Sequence, residues 1–483
     1  MVQAKRNGQR LKSLPKSPTG IPGMDEITGG GLPRGRPTLV AGGAGCGKTL
    51  FAMEYLVNGA IQYGEPGVFM AFEENAEELA QNVTSLGFDL KQLIKQKKLI
   101  IDHVRIERSE IEETGEYDLE GLFIRLGYAI DMIGARRVVL DTIEVLFTAL
   151  ANQGILRAEL RRLFRWLKVK GVSAVITAER GEGTMTRFGL EEYVADCVIV
   201  LDHRVTEQIS TRRLRIVKYR GTLHGTNEYP FLIGQNGISV LPITSLGLDH
   251  KAPSGRVSTG IEELDEMLGG KGFQRGSSIL ISGTAGTGKS SIAAAFVDSA
   301  CRRGERCLYF AFEESPAQIL RNMRSIGIDL APHIKKELLH FRATRPTLYG
   351  LEMHLLKMYD LVKEKKPSIV VLDPITDFFS VASSSEVKAA ITRIIDFLKM
   401  NQITSLFTTY TSGREMSDRS VVGVSSLIDT WLSLRNLESN GARHRGLFVL
   451  KSRGMSHSNQ IRSFHLTDHG IQIGAMDHTG SQA

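Results

Sequence analysis

Two stretches of this chain have the residue types and spacing of a polyphosphate cradle: GGAGCGKT at 42–49 and GTAGTGKS at 283–290. Each follows an apolar run and opens an amphipathic one, the context in which GxxxxGK[ST] works. Glycines let the backbone turn its N–H groups inward around phosphates, at a helix N-terminus whose dipole favours negative charge. Gly42, Gly43, Gly45 and Gly47 are therefore expected at positive φ in the first loop, and Gly283, Gly286 and Gly288 shape the second. Lys48 and Lys289 would reach the β and γ phosphates. Thr49 and Ser290 would offer hydroxyls to Mg²⁺.

Carboxylates and bases follow at regular distances. Asp141 and Asp373 end the apolar runs RRVVLD and SIVVLD. A carboxylate at the carboxyl edge of a parallel sheet can hold the water shell of Mg²⁺, although an ordinary strand-end Asp fits either position taken alone. Glu73-Glu74 and Glu313-Glu314 follow two further apolar runs. Such a carboxylate can take the proton of an attacking water or hydroxyl, or it can be a helix N-terminal acid favoured by the dipole. Spacing does not say which Glu of each pair acts. Lys218 with Arg220, and Lys451 with Arg453, lie two apart, so on a strand both face one side. They suit either charge developing on a γ phosphate or a solvated basic edge.

These residues need a scaffold, and the chain writes it twice. Segments recur at an offset near 240: Thr19-Gly20-Ile21 with Thr259-Gly260-Ile261, Arg34-Gly35 with Arg275-Gly276, FEE at 72–74 with 312–314, VVLD at 138–141 with 370–373, and KYRGTLH at 218–224 with KSRGMSH at 451–457. A period this long is a duplicated domain and not a solenoid. Domains are expected over 17–243 and 258–475. A Pro- and Gly-rich linker over 244–257 separates them, a basic disordered tail precedes them over 1–16, and a short tail follows over 476–483. Within the first repeat, strands are expected over 37–41, 68–72, 137–140 and 173–177, and a helix over 48–63 stopped at Gly64. Later strands at 196–201, 213–219 and 231–241 form an antiparallel extension. The fold class is α/β: two tandem RecA-like P-loop domains, each a mostly parallel sheet covered by helices.

Composition agrees with a soluble, cytoplasmic, multidomain chain. There are 483 residues, 23% of them charged, and 60 basic against 53 acidic side chains leave a net charge of +7. That balance does not by itself point to nucleic acid. No run is long and apolar enough for a membrane helix. Cys46, Cys197, Cys301 and Cys307 lack the CxxC spacing of a zinc site or a disulfide framework.

Tandem RecA-like domains, each with a P-loop, a Glu-Glu pair, a strand-end Asp and a K-x-R-G-x-x-H element, resemble the KaiC family of circadian clock proteins. The resemblance covers roughly 17–475. It implies an ATP-dependent homohexamer with nucleotide between subunits, a first domain that is the steadier ATPase, and a second with serine/threonine autokinase and autophosphatase activity. Lys218, Arg220, Lys451 and Arg453 become fingers reaching a neighbour's ATP. In SSLIDTWLSL, Ser425 and Ser426 fall at the family's phosphoacceptor pair, although two serines at a strand entrance are also common. A KaiB-like protein is the implied partner. The acceptor pair here is Ser-Ser; Asp373 is followed by Pro374 where Asp141 has Thr142 and a hydroxyl is expected; and the sequence ends at Ala483, soon after IQIGAMDHTG. The expectation is autophosphorylation without a KaiA-type activator. Two other functions stay open. A RecA-like ATPase acting on DNA could use RGEGTMTRFG at 180–189, which lacks a stacking platform of several aromatics. A scaffold ATPase would hydrolyse ATP without phosphorylating either serine.

Overall fold

A computed structural model of the chain describes residues 14–104, 119–147, 153–181, 186, 194–206, 209–242, 253–411, 426–439 and 442–475. The chain divides into two compact units, Met1–Ser245 and Leu246–Ala483. Most of the expected N-terminal tail, part of the linker and the C-terminal tail lie outside the described residues. Lys16, assigned from sequence to the tail, is part of the first unit. It forms the two-residue strand β1 (Lys16–Ser17) with β2 (Leu32–Pro33), and its ammonium lies 4.9 Å from the Tyr219 ring centre.

In the first unit, β3 (Pro37–Gly42), β4 (Gly67–Ala71), β5 (Leu99–His103), β6 (Arg137–Asp141), β7 (Ser173–Glu179), β8 (Cys197–Thr206), β9 (Ile209–Tyr219), β10 (Glu228–Gly234) and β11 (Gly237–Val240) make a nine-stranded sheet. Its order is β11-β10-β9-β8-β3-β7-β6-β4-β5. The strands from β8 to β5 are parallel, and β9 to β11 add on antiparallel. The expected strand over 231–241 is in fact a hairpin. It turns at Gln235-Asn236, where Gly237 takes φ 90°, and polar residues with a left-handed glycine favour reversal over extension.

The second unit repeats this. After β12 (Arg256–Val257) and β13 (Phe273–Gln274) come β14 (Ser278–Gly283), β15 (Cys307–Ala311), β16 (Leu339–Ala343), β17 (Ile369–Asp373), β18 (Thr404–Tyr410), β19 (Thr430–Ser439), β20 (Ala442–Ser452), β21 (Arg462–Thr467) and β22 (Gly470–Ala475). The sheet order is β16-β15-β17-β18-β14-β19-β20-β21-β22. It is the same arrangement, strand for strand.

The central strands β3, β4, β6 and β7 are buried along nearly their whole length, as a parallel sheet covered on both faces requires. The helix Lys48–Gln62 lies on one face, with Phe51, Met53, Tyr55 and Leu56 fully buried. Glu120–Ile133 and Gln153–Lys170 supply Phe123, Leu126, Leu160, Leu163 and Leu167 to a second apolar cluster, on side chains that alternate with the first along the strands. The repeated Arg-Gly has a structural purpose: Arg34 pairs with Glu65 at 2.9 Å, and Arg275 with Glu305 at 2.8 Å. Arg137 is fully buried; Glu65 neutralises it at 2.7 Å, and the Tyr55 ring lies 4.4 Å from its guanidinium.

Candidate active sites

Each phosphate loop leaves the carboxyl end of the sheet's central strand and opens a helix, Lys48–Gln62 or Lys289–Arg302. Only Gly45 and Gly47 of the first loop take positive φ, 68° and 105°, matched by 74° and 101° at Gly286 and Gly288. Gly42 and Gly283 are required for another reason. A Cβ on Gly42 would lie 2.6 Å from the Leu201 carbonyl, and one on Gly283 would lie 2.7 Å from that of Leu434. Gly43 meets neither condition, and the second loop has Thr284 in its place. The expectation of four left-handed glycines is thus corrected to two.

Lys48 Nζ donates to the carbonyls of Gly42 and Gly43 at 2.9 and 3.0 Å, and Lys289 Nζ to those of Gly283 and Thr284, both at 2.9 Å. Burial lowers the Lys289 ammonium to about 8, against the charges of Asp373 and Glu313, which favour it. Asp141 accepts from the Thr177 hydroxyl and Asp373 from those of Thr408 and Tyr309. Burial, together with the nearby Glu73 charge, pushes the Asp141 carboxyl up, although the Thr177 and Thr49 hydroxyls and the Lys48 charge oppose this. Oxygen donors around an incompletely compensated buried carboxylate fit a hard divalent cation. Thr49 with Asp141, and Ser290 with Asp373, are the residues that would hold Mg²⁺.

The two glutamates of each pair part company. Glu74 accepts from Asn82 at 3.2 Å and Glu314 from Asn322 at 3.3 Å, each Asn belonging to the helix that follows. Glu73 instead accepts from the Thr142 hydroxyl at 3.2 Å, and Glu313 from the Tyr410 phenol at 2.5 Å. Neither pair stands in a helix's first turn. Asn75 and Ser315 are the N-caps, each closing a capping box, so Glu73-Glu74 and Glu313-Glu314 precede the helices. In the second unit Lys289, Ser290, Glu313, Glu314, Asp373 and Tyr410 line one cavity of about 260 Å³, together with Gly286 and Gly288. Burial, with the charges of Asp373 and Glu313, raises the Glu314 carboxyl; burial and the Glu313 charge raise that of Asp377 to about 6.

The basic pairs lie elsewhere. Lys218 is level with Val198 and Lys451 with Trp431, near the amino-terminal end of the parallel strands. Arg220 and Arg453 fall in the turns just past β9 and β20, so only Lys218 and Lys451 of the two pairs stand on a strand. Arg220 N–H donates to the Asp196 carbonyl at 2.9 Å, and Asp196 N–H to that of Pro37 at 3.2 Å. Gly42 is five positions beyond Pro37 along β3, a rise of about 17 Å. The second unit is equivalent: Arg453 N–H donates to the Asp429 carbonyl at 2.8 Å, and Asp429 N–H to that of Ser278 at 2.9 Å. Each pair therefore sits at the opposite edge of the sheet from the phosphate loop of its own unit.

Ser426 is at that same edge. Its carbonyl accepts from Arg453 Nη2 at 2.6 Å, and its side chain is exposed; Ser425 lies outside the described residues. Asp429 anchors this turn, pairing with Lys399 at 2.7 Å and accepting from the Ser278 N–H at 2.9 Å. Burial works to raise the Asp429 carboxyl, but Lys399 and Ser278 outweigh it and hold it below its ordinary value. Asp196 repeats the arrangement with Lys168 at 2.5 Å. Sequence reading missed both anchors, although Lys168 with Asp196 and Lys399 with Asp429 recur at the repeat offset. The segment 180–189 is described only at Arg180, Gly181 and Thr186, and Arg180 lies 3.5 Å from Asp202.

Comparison with known proteins bears on the whole of this architecture. The family model for the KaiC ATPase matches twice, over residues 17–245 and 257–478. The chain belongs to the KaiC family. It is 59% identical to circadian clock protein KaiC2 of Synechocystis sp. over 97% of this chain and 82% of that protein. It is 38% identical to the circadian clock oscillator protein KaiC of Synechococcus elongatus, over 97% of this chain and 90% of that one. KaiC3 of Synechocystis sp. is likewise 38% identical, over 96% and 93%. The chain is thus an ATP-using P-loop ATPase of two tandem KaiC domains. No described helix is long and apolar enough to cross a membrane.

Proposed function

We propose that the chain is an ATP-dependent homohexamer whose second domain transfers phosphate to its own serines, Ser425 and Ser426, and serves as a timing or signalling switch. The observation that carries this reading is the separation of parts. The basic pair and the acceptor turn lie about 17 Å along the strands from the loop that holds ATP in the same domain. Only a second copy, presenting its amino-terminal sheet edge to that loop, completes the site. Lys218 and Arg220, and Lys451 and Arg453, then act on the neighbour's ATP. Repetition of the same edge in both domains supports a ring, and the names of the relatives support a clock role with a KaiB-like partner. Neither nucleic acid nor a membrane enters this reading.

Chemistry follows from the residues. Backbone N–H groups of each loop bind the phosphates, and Lys48 or Lys289 leaves its carbonyls for the β and γ oxygens. Mg²⁺ would neutralise charge shared by those oxygens, held through Thr49 and Asp141 or Ser290 and Asp373. Glu73 is the base that orients water for hydrolysis in the first domain. Glu313 accepts the serine proton as its oxygen attacks the γ phosphorus and ADP leaves. Glu74 and Glu314, held by Asn82 and Asn322, stand behind them. Phosphoserine adds about −1.5 to −2 charge beside Arg453 and Lys451, which alters packing at that edge.

Incubation with γ-labelled ATP and Mg²⁺ and no other protein, followed by phosphosite mapping, tests the reading. Label on Ser425 or Ser426, lost in Glu313→Gln, is the expected result. ATP turnover with no label on either serine would leave a scaffold ATPase instead.

A further inference from the structure

The two sites differ in how the first glutamate of each pair is held. In the first domain the Thr142 hydroxyl, one residue beyond Asp141, donates to Glu73 at 3.2 Å. The second domain has Pro374 at that place, with no hydroxyl to give. The contact comes from the adjacent strand instead. Tyr410 is the last residue of β18, level with Gly283 of the phosphate loop, and its phenol donates to Glu313 Oε2 at 2.5 Å. Glu179 holds the matching position in the first domain, level with Gly42. Pro374 and Tyr410 are thus a paired exchange: the hydroxyl leaves the end of β17 and returns at the end of β18.

We propose that Tyr410 is a positioning residue of the second site, whose hydroxyl fixes the Glu313 carboxylate in the role that Thr142 has toward Glu73. This rests on the reading of Glu313 as the base. With Oε2 engaged by the phenol, Oε1 is left to take the proton of an attacking hydroxyl. The phenol remains a donor: burial, and then the Glu313 carboxylate itself, hold its proton far above the ordinary tyrosine range. Lys289 Nζ lies 4.0 Å from the same ring's centre, so Tyr410 touches both the residue that meets the phosphates and the residue that takes the proton. Removing the hydroxyl while keeping the ring separates these two contacts.

The test uses the full-length chain in a Glu73→Gln background, where ATP turnover reports the second site whether phosphate passes to serine or to water. Tyr410→Phe is expected to lower kcat about 10- to 100-fold, the size of loss known when a hydrogen-bond partner that orients a metal-bound ligand is removed. KM for ATP should stay within about twofold, because the ring under Lys289 is retained. Adding Pro374→Thr to Tyr410→Phe restores a hydroxyl beside Glu313 and should recover most of the lost kcat. Unchanged kcat in Tyr410→Phe, with Glu313→Gln inactive, overturns the proposal and leaves the base assignment standing. A loss confined to KM overturns it in favour of a binding role for the ring. Full activity in Glu313→Gln overturns the base assignment itself, and this proposal with it.

Discussion

Single side chains in this protein are tuned by burial as much as by charge. Glu54 illustrates it away from any phosphate. On the buried face of the helix Lys48–Gln62 it is 2% exposed and accepts the Ile238 N–H at 2.8 Å, against Gly237, whose Cβ would collide with the carboxylate. Burial raises its carboxyl from 4.5 to about 7, with the Ile238 N–H and Asn58 offsetting part of the effect. Between those values the folded chain keeps a proton that the unfolded chain has lost. The stability this proton confers is full below the unfolded value and disappears as pH rises through about 7. Glu54→Gln keeps an acceptor for Ile238 and never ionises. Thermal unfolding should show the variant more stable than the parent at pH 8, by at most about 3 kcal/mol, with the gap nearly closed at about pH 4, below the unfolded value. An equal gap at both pH values would mean that Glu54 does not titrate in this range.

At the scale of elements, ends matter more than middles. The helix Pro316–Arg324 begins two residues after Glu314, and its capping box at Ser315 fixes where the chain leaves β15. Ser315→Ala should cost about 1 kcal/mol in urea unfolding of the second domain. Because Asn322 of that helix holds Glu314, phosphate transfer should slow too, while the first domain is unaffected. No change in either measurement would show that the cap is dispensable. Strand ends make the stronger prediction. Arg453 lies at the amino-terminal edge of its sheet and Lys289 at the carboxyl edge, so the proposed site, which needs both, would have to be built from two chains. Rings mixed from Arg453→Ala and Lys289→Ala subunits should therefore regain phosphate transfer at some interfaces, since removing an arginine finger costs on the order of 10³-fold and each mutant lacks what the other has. Absence of recovery at every ratio, with co-assembly demonstrated, would place all parts of the site in one chain.

For the molecule as a whole, sites completed between copies, as proposed above, would make nucleotide a structural ligand. ATP held in the first domain would then bind the assembled state more tightly than the separated chain, so that its binding free energy would appear as assembly free energy. Lys48→Ala should sediment as monomers or small species in the presence of ATP and Mg²⁺, whereas Lys289→Ala should still assemble through the intact first domain. A nucleotide-free hexamer of Lys48→Ala would separate assembly from ATP.

The parts of this protein set by local pattern are legible in its residues alone. The duplication, the two phosphate loops, the strand-end Asp141 and Asp373 and the α/β class all follow from short strings whose spacing repeats, because a glycine turn between an apolar strand and a helix needs only neighbours in sequence. Even there, the reason for Gly42 is a carbonyl at Leu201 on the next strand, which no local pattern contains. What required the tertiary structure are meetings between distant residues. Tyr410 reaches Glu313 across 97 positions and Arg137 reaches Glu65 across 72. Only the sheet order brings them together, with β6 directly beside β4 and β18 one strand removed from β15 across β17. The separation of the glutamates into a pair facing Thr142 or Tyr410 and a pair facing Asn82 or Asn322 is of this kind. So is the placement of the basic residues, since a strand's two ends are alike in composition, and only its direction in the parallel sheet decides which one faces the phosphate.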